Sequence, residues 1–182
     1  MDSSYAKSII ECLLFVSDKP LSVDKIKEVI EDALGNADEK TIRNLITELQ
    51  MDYETLGRPL AVVEIAEGFQ ITTRPQFAGW IKKLFKSKVT HRLSKAALET
   101  LAVISYRQPV TRLEIESIRG VSTEGVLETL LERNLIKING RKDCIGRPLL
   151  YGTTQEFLKY FGLKDLTELP KVEELLRGMK GK

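Results

Sequence analysis

The chain has 182 residues, 42% of them hydrophobic and 30% charged, with a formal net charge of +2. That composition describes a folded protein with room for one core or two small ones, and no apolar run approaches the ~20 residues that a membrane-spanning helix needs. Residues 1–91 carry 12 basic against 14 acidic side chains and residues 92–182 carry 16 against 12, so neither half reads as a nucleic-acid-binding arm.

Taken in order, Ser3 or Ser4 caps a first helix running to about Ser17, with Tyr5, Ile9, Cys12, Leu13 and Val16 at helical spacing. Between Ile9 and Val16 only Glu11 is polar. A helix apolar on more than one face either lies deep in a core or meets a second surface, and a domain of ~80 residues has little depth to offer. Ile9, Ile10, Leu13 and Leu14 are therefore expected at a contact between two copies of the chain. Asp18 to Ser22 turns into a second helix with Ile26, Val29, Ile30 and Ala33 inward, stopped by Gly35. Asp38 opens a third, carrying Ile42, Leu45, Ile46, Leu49, Tyr53 and Leu56. Two β-rich runs, Leu60 to Ile65 and Phe69 to Thr73, form a hairpin through Glu67-Gly68, and Pro75 starts a helix with Phe77, Trp80, Ile81, Leu84 and Phe85.

Residues 87–92 are polar and without period, which places a domain boundary there. The pattern then starts again. Ser94 caps Lys95 to Tyr106, Gln108 to Thr111 is a turn, and Thr111 with Glu114 three residues on is a capping box for a helix ending at Arg119-Gly120. Ser122 caps a third helix with Val126, Leu127, Leu130 and Leu131 inward, and Leu135 to Ile138 and Leu149 to Thr153 are the strands of a basic wing. Thr153 or Thr154 caps a closing helix with Phe157, Leu158 and Phe161, ended by Gly162. Three helices and a hairpin, twice over, predict a mainly α chain with small β-hairpins, built as two tandem winged-helix domains. The domains fall at 1–88 and 89–163, with 164–182 a flexible tail.

Catalytic constellations are missing. The single histidine, His91, stands in the linker, and the two cysteines, Cys12 and Cys144, read as free thiols; there is no phosphate loop and no dinucleotide fingerprint. No enzyme activity, cofactor or metal is expected. A winged helix raises DNA binding, but the third helices carry Asp38, Glu39, Glu48, Asp52 and Glu54 against Lys40 and Arg43, and Glu124, Glu128 and Glu132 against Arg133. Phosphates repel such faces. The basic clusters at Lys82, Lys83, Lys86, Lys88, Arg92 and Lys95, and at Arg133, Lys137, Arg141, Lys142 and Arg147, support at most weak, sequence-indifferent DNA contact. The chain start lacks a basic-then-apolar signal, so the cytoplasm is expected.

Three stretches carry a family resemblance: Leu93-Ser-Lys-Ala-Ala-Leu-Glu-Thr-Leu-Ala-Val-Ile-Ser-Tyr-Arg-Gln-Pro-Val-Thr111, Ile115-Glu-Ser-Ile-Arg-Gly-Val121 and Gly146-Arg-Pro-Leu-Leu-Tyr-Gly-Thr-Thr-Gln-Glu-Phe-Leu-Lys-Tyr-Phe-Gly-Leu163. Over about residues 5–170 the chain resembles segregation and condensation protein B, the winged-helix accessory subunit of the bacterial chromosome-condensing complex. The resemblance implies a non-enzymatic homodimer, associated with the nucleoid, that binds the kleisin subunit (segregation and condensation protein A) and, through it, the structural-maintenance-of-chromosomes ATPase. Dimerisation is expected at the amino-terminal domain. Kleisin docking is expected on the second domain at Ala97, Leu101, Ile104, Tyr106 and Arg119. The competing reading is a tandem winged-helix transcription regulator.

Overall fold

A computed structural model describes residues 3–35, 38–85 and 92–171. The chain divides into two compact units, Met1–Val89 and Thr90–Lys182.

In the first unit, α1 (Ser3–Val16), α2 (Val23–Leu34) and α3 (Glu39–Thr55) precede an antiparallel hairpin of β1 (Leu60–Ile65) and β2 (Gly68–Thr73). Ser22 and Asp38 cap α2 and α3, accepting from the backbone N–H of Lys25 and Thr41. The core is aliphatic: Ile10 and Leu14 of α1, Ile26 and Ile30 of α2, and Ile42 and Ile46 of α3 are all fully buried, and Phe69 of β2 closes it. Each such side chain contributes roughly 1.5–3 kcal/mol of transfer free energy. The helix expected from Pro75 begins as a 3-10 turn, Pro75–Phe77, and becomes α4 only over Ala78–Leu84.

The loop between α1 and α2 is bound to the hairpin. Leu21 N–H donates to Phe69 O at 2.9 Å and Phe69 N–H returns to Leu21 O at 2.8 Å. Gly68 permits this approach, because a Cβ there would lie 2.8 Å from the carbonyl carbon and oxygen of Leu21.

In the second unit, α5 (Lys95–Arg107), the two-residue β3 (Val110–Thr111), α6 (Arg112–Arg119) and α7 (Glu124–Glu132) lead to β4 (Ile136–Arg141), β5 (Leu149–Thr153) and α8 (Gln155–Phe161). The sheet order is β3-β5-β4, all antiparallel, with a bulge between Ile138 and Gly140. The expected turn at Gln108 to Thr111 thus contains a strand, and β4 starts at Ile136 rather than Leu135. Gln108 clamps this junction. Its Oε1 accepts from Thr153 N–H at 2.7 Å, and its Nε2 donates to Thr153 Oγ1 at 2.9 Å.

The capping box at α6 is present. Thr111 N–H donates to Glu114 Oε2 at 2.8 Å, and Glu114 N–H donates to Thr111 Oγ1 at 3.4 Å. The start of α7 is served differently from the Ser122 cap read from sequence. Glu116 of α6 accepts from Thr123 N–H at 3.0 Å, so a carboxylate from the preceding helix satisfies this helix end. Thr154 caps α8, and Gly162 ends it in a left-handed conformation.

The segment after Leu163, expected to be a flexible tail, is not free at its start. A 3-10 turn, Leu166–Glu168, brings Pro170 back to α5, where Tyr106 OH donates to Pro170 O at 2.7 Å. Residues 172–182 lie outside the described residues.

Two consequences are measurable. Gly68→Ala forces a Cβ against rigid backbone and should cost about 1–3 kcal/mol in urea unfolding, whereas Gly79→Ala on α4, with nothing within 4 Å, should leave the midpoint unchanged or raised. Glu114 is held at about 2, below its ordinary 4.5, first by the hydrogen bond from Lys142 Nζ and then by those from Thr111. A depressed carboxylate stabilises fully above its unfolded value and loses that contribution as pH falls through the folded one. Glu114→Gln should therefore lower the unfolding midpoint at pH 6, with the difference from wild type closing between 4.5 and about 2.

Candidate partner-binding surfaces

In the second unit α5 has two faces. Ala97, Leu101 and Ile104 lie at helical spacing on the inner one and are almost wholly buried. They are core residues, not the docking surface expected of them, because a 13-residue helix among α6, α7 and β5 spends that stripe on its own domain. The outer stripe is Leu98, Ala102 and Tyr106, spaced four residues apart, with Leu98 43% exposed. Phe161 of α8 is equally exposed. Together with Phe157, Leu163, Leu169 and Pro170 they border an apolar groove of about 270 Å³, with Leu101 at its floor.

Tyr106 is therefore at a surface, as the sequence reading requires of an anchor, but its hydroxyl is engaged by Pro170. Arg119 is not a free anchor. Its side chain is 16% exposed and ion-paired with Glu99 of α5, and its Nε is buried without a hydrogen-bond partner. The sequence reading missed Leu98 and Phe161, which the four-residue spacing from Ala102 and the aromatic run of α8 would have marked.

In the first unit Ile10 and Leu14 belong to the core, and Ile9 and Leu13 pack half-buried against it. Ile10 and Leu14 are thus closed to a partner, while Ile9 and Leu13 keep part of their surface. One inward stripe of α1 satisfies the aliphatic core, and the polar flank is tied to α3: Lys7 Nζ donates to Asp52 at 2.7 Å, and Tyr53 OH to Glu11 at 2.7 Å. Burial first, then the Glu11 carboxylate, pushes Tyr53 up to about 12, so this phenol stays protonated as donor. Exposed apolar side chains include Tyr5, Phe15 and Val16 of α1, Val29 of α2, Met51 and Leu56 at the end of α3, and those of α4, where the exposure is largest. No residue of α4 is buried, Trp80 is 70% and Leu84 79% exposed, and Lys83 Nζ stands 4.5 Å from the Trp80 ring centroid. Six apolar residues in the nine from Phe77 to Phe85 are too many for the last helix of a small domain, which was the available signal.

The third helices are acidic at their surfaces. Arg43 of α3 is paired with Glu39 at 2.9 Å and Glu64 at 3.1 Å, while Glu124, Glu128 and Glu132 of α7 are exposed. Cys12 and Cys144 are free. Among the described residues no cluster of three metal-ligating side chains occurs, and no helix is long and apolar enough to cross a membrane.

The family model described as segregation and condensation complex subunit ScpB matches residues 8–172. Segregation and condensation protein B of Symbiobacterium thermophilum is 51% identical over 170 residues, covering 93% of this chain and 75% of that protein. The protein of the same name from Syntrophotalea carbinolica is 45% identical over 174 residues, covering 96% of this chain and 85% of that one. A crystal structure of a dimer of the ScpB N-terminal domain complexed with ScpA peptide is 34% identical, covers 44% of this chain and 95% of that chain, and superposes with a TM-score of 0.39. With a family model spanning both winged helices and relatives of this identity over nearly its whole length, the chain belongs to the segregation and condensation protein B family.

Proposed function

We propose that this chain is a non-enzymatic accessory subunit of a chromosome-condensing complex, acting in chromosome segregation during cell division. It dimerises through its first unit, docks the kleisin subunit through its second, and reaches the ATPase through the kleisin, in the cytoplasm and at the nucleoid. The observation that carries the reading is the pairing of exposed apolar surface, α4 in one unit and the α5/α8 groove in the other, with acidic third helices unsuited to phosphate. An apolar helix in an apolar groove is a general docking mode, with charged residues around such a groove setting orientation. No catalytic, metal or cofactor role is assigned to any residue.

The dimer is tested by the double substitution Trp80→Glu, Leu84→Glu in the full chain, which should convert a dimer to a monomer in light scattering with circular dichroism unchanged; a dimer that persists places the contact elsewhere. Kleisin docking is tested by Leu98→Glu and Tyr106→Ala, measured separately by calorimetry. Each should weaken binding by tenfold or more, as central apolar and tyrosine anchors do. Against unrelated DNA duplexes at physiological salt the chain should discriminate far less than the ~10³ of a sequence-specific reader.

A further inference from the structure

One end of the α5/α8 groove is bordered by the chain's own later residues. From Gly162 the backbone leaves α8, passes through the 3-10 turn at Leu166–Glu168 and lays Leu169 and Pro170 along the Tyr106 end of α5. The strap is held to α5 by the hydrogen bond from Tyr106 OH to Pro170 O and by half-buried Leu163 and Leu169. Two hydrogen bonds close within the strap: Lys164 N–H donates to Glu168 at 2.7 Å and Thr167 N–H to Asp165 at 2.7 Å. Neither of these two depends on contact with α5. Leu166 remains 40% exposed, and about 270 Å³ of apolar space stays open beside the strap, so the strap borders one end of the groove and leaves the rest free.

The strap also has the pattern of a docking segment. Leu163, Leu166 and Leu169 recur every three residues, and the sequence continues the spacing with Val172 and Leu175. An incoming amphipathic helix would offer apolar residues at the same kind of spacing to the same walls.

We propose that residues 164–171 are a built-in competitor for this groove, seated at its Tyr106 end in the free chain and displaced when the kleisin segment docks. This rests on the docking reading above. The apparent dissociation constant of a partner that needs the strap out is the intrinsic one divided by the strap-out fraction. A strap seated about nine-tenths of the time therefore weakens binding about tenfold, and substitutions that unseat it tighten binding up to that limit.

The test uses two substitutions in the full chain. Leu169→Asp puts a carboxylate where the strap needs an apolar contact, and Tyr106→Phe removes the hydroxyl while keeping the ring that lines the groove. By calorimetry with purified kleisin, Leu169→Asp should tighten binding by about tenfold and Tyr106→Phe by a smaller factor. In the kleisin-free variants, hydrogen exchange should rise in α5 near Tyr106 and stay unchanged in α7. Weaker or unchanged binding by both variants overturns the proposal, because the strap is then part of the binding site or irrelevant to it. Leu98→Glu separates the two ideas. If it abolishes kleisin binding while the strap variants change nothing, the competitor falls and the docking reading stands; if it leaves binding intact, both fall.

Discussion

Each unit depends on the hydrogen bonds that join the loop after its first helix to the second strand of its hairpin. In the first unit this is the reciprocal pair between Leu21 and Phe69. In the second it is β3 against β5, with Val110 opposite Tyr151 and Thr111 opposite Leu150, reinforced by Gln108 on Thr153. A two-stranded hairpin alone is marginal in water. Tied to the turn of a helical pair, it becomes the lid of an aliphatic core, which explains why Phe69 and Tyr151 are buried although they sit on short strands near solvent.

Much of this was legible in the chain because the signals are local. Ser22, Asp38, Thr111 with Glu114, and Thr154 each mark a helix start by their own side chains, and Gly162 marks an end by its left-handed conformation. The second strands were legible from β-branched and aromatic content between turn residues, as Phe69 to Thr73 and Leu149 to Thr153, although the first begins one residue earlier, at Gly68, which the sequence reading had placed in the turn. What was not legible depended on partners distant in sequence. The start of α7 has no cap of its own because Glu116 of α6 serves it, and nothing near Ser122 reveals that.

The candidate surfaces failed to be legible for a related reason. An apolar residue in a helix announces burial without saying against what. Ile10, Leu14, Leu101 and Ile104 looked like surplus apolar surface, yet all four are consumed by the core of their own unit. The surplus lies one helical face away, at Leu98 and Tyr106 of α5, and in the short α4, where the sequence shows the same residue types. Distinguishing the two needs knowledge of which neighbours stand on each side, and that arrives only with the packing of α6, α7 and β5 on α5.

Trp80 is the single tryptophan of the chain, and it projects from α4 into solvent. The second unit has none. Indole emission from this protein is therefore a one-site optical probe of the first unit's apolar face. Whatever covers α4 will remove water from that ring and shift its emission to the blue. The groove of the second unit is bordered by Tyr106 and has no indole, so the two surfaces carry different chromophores.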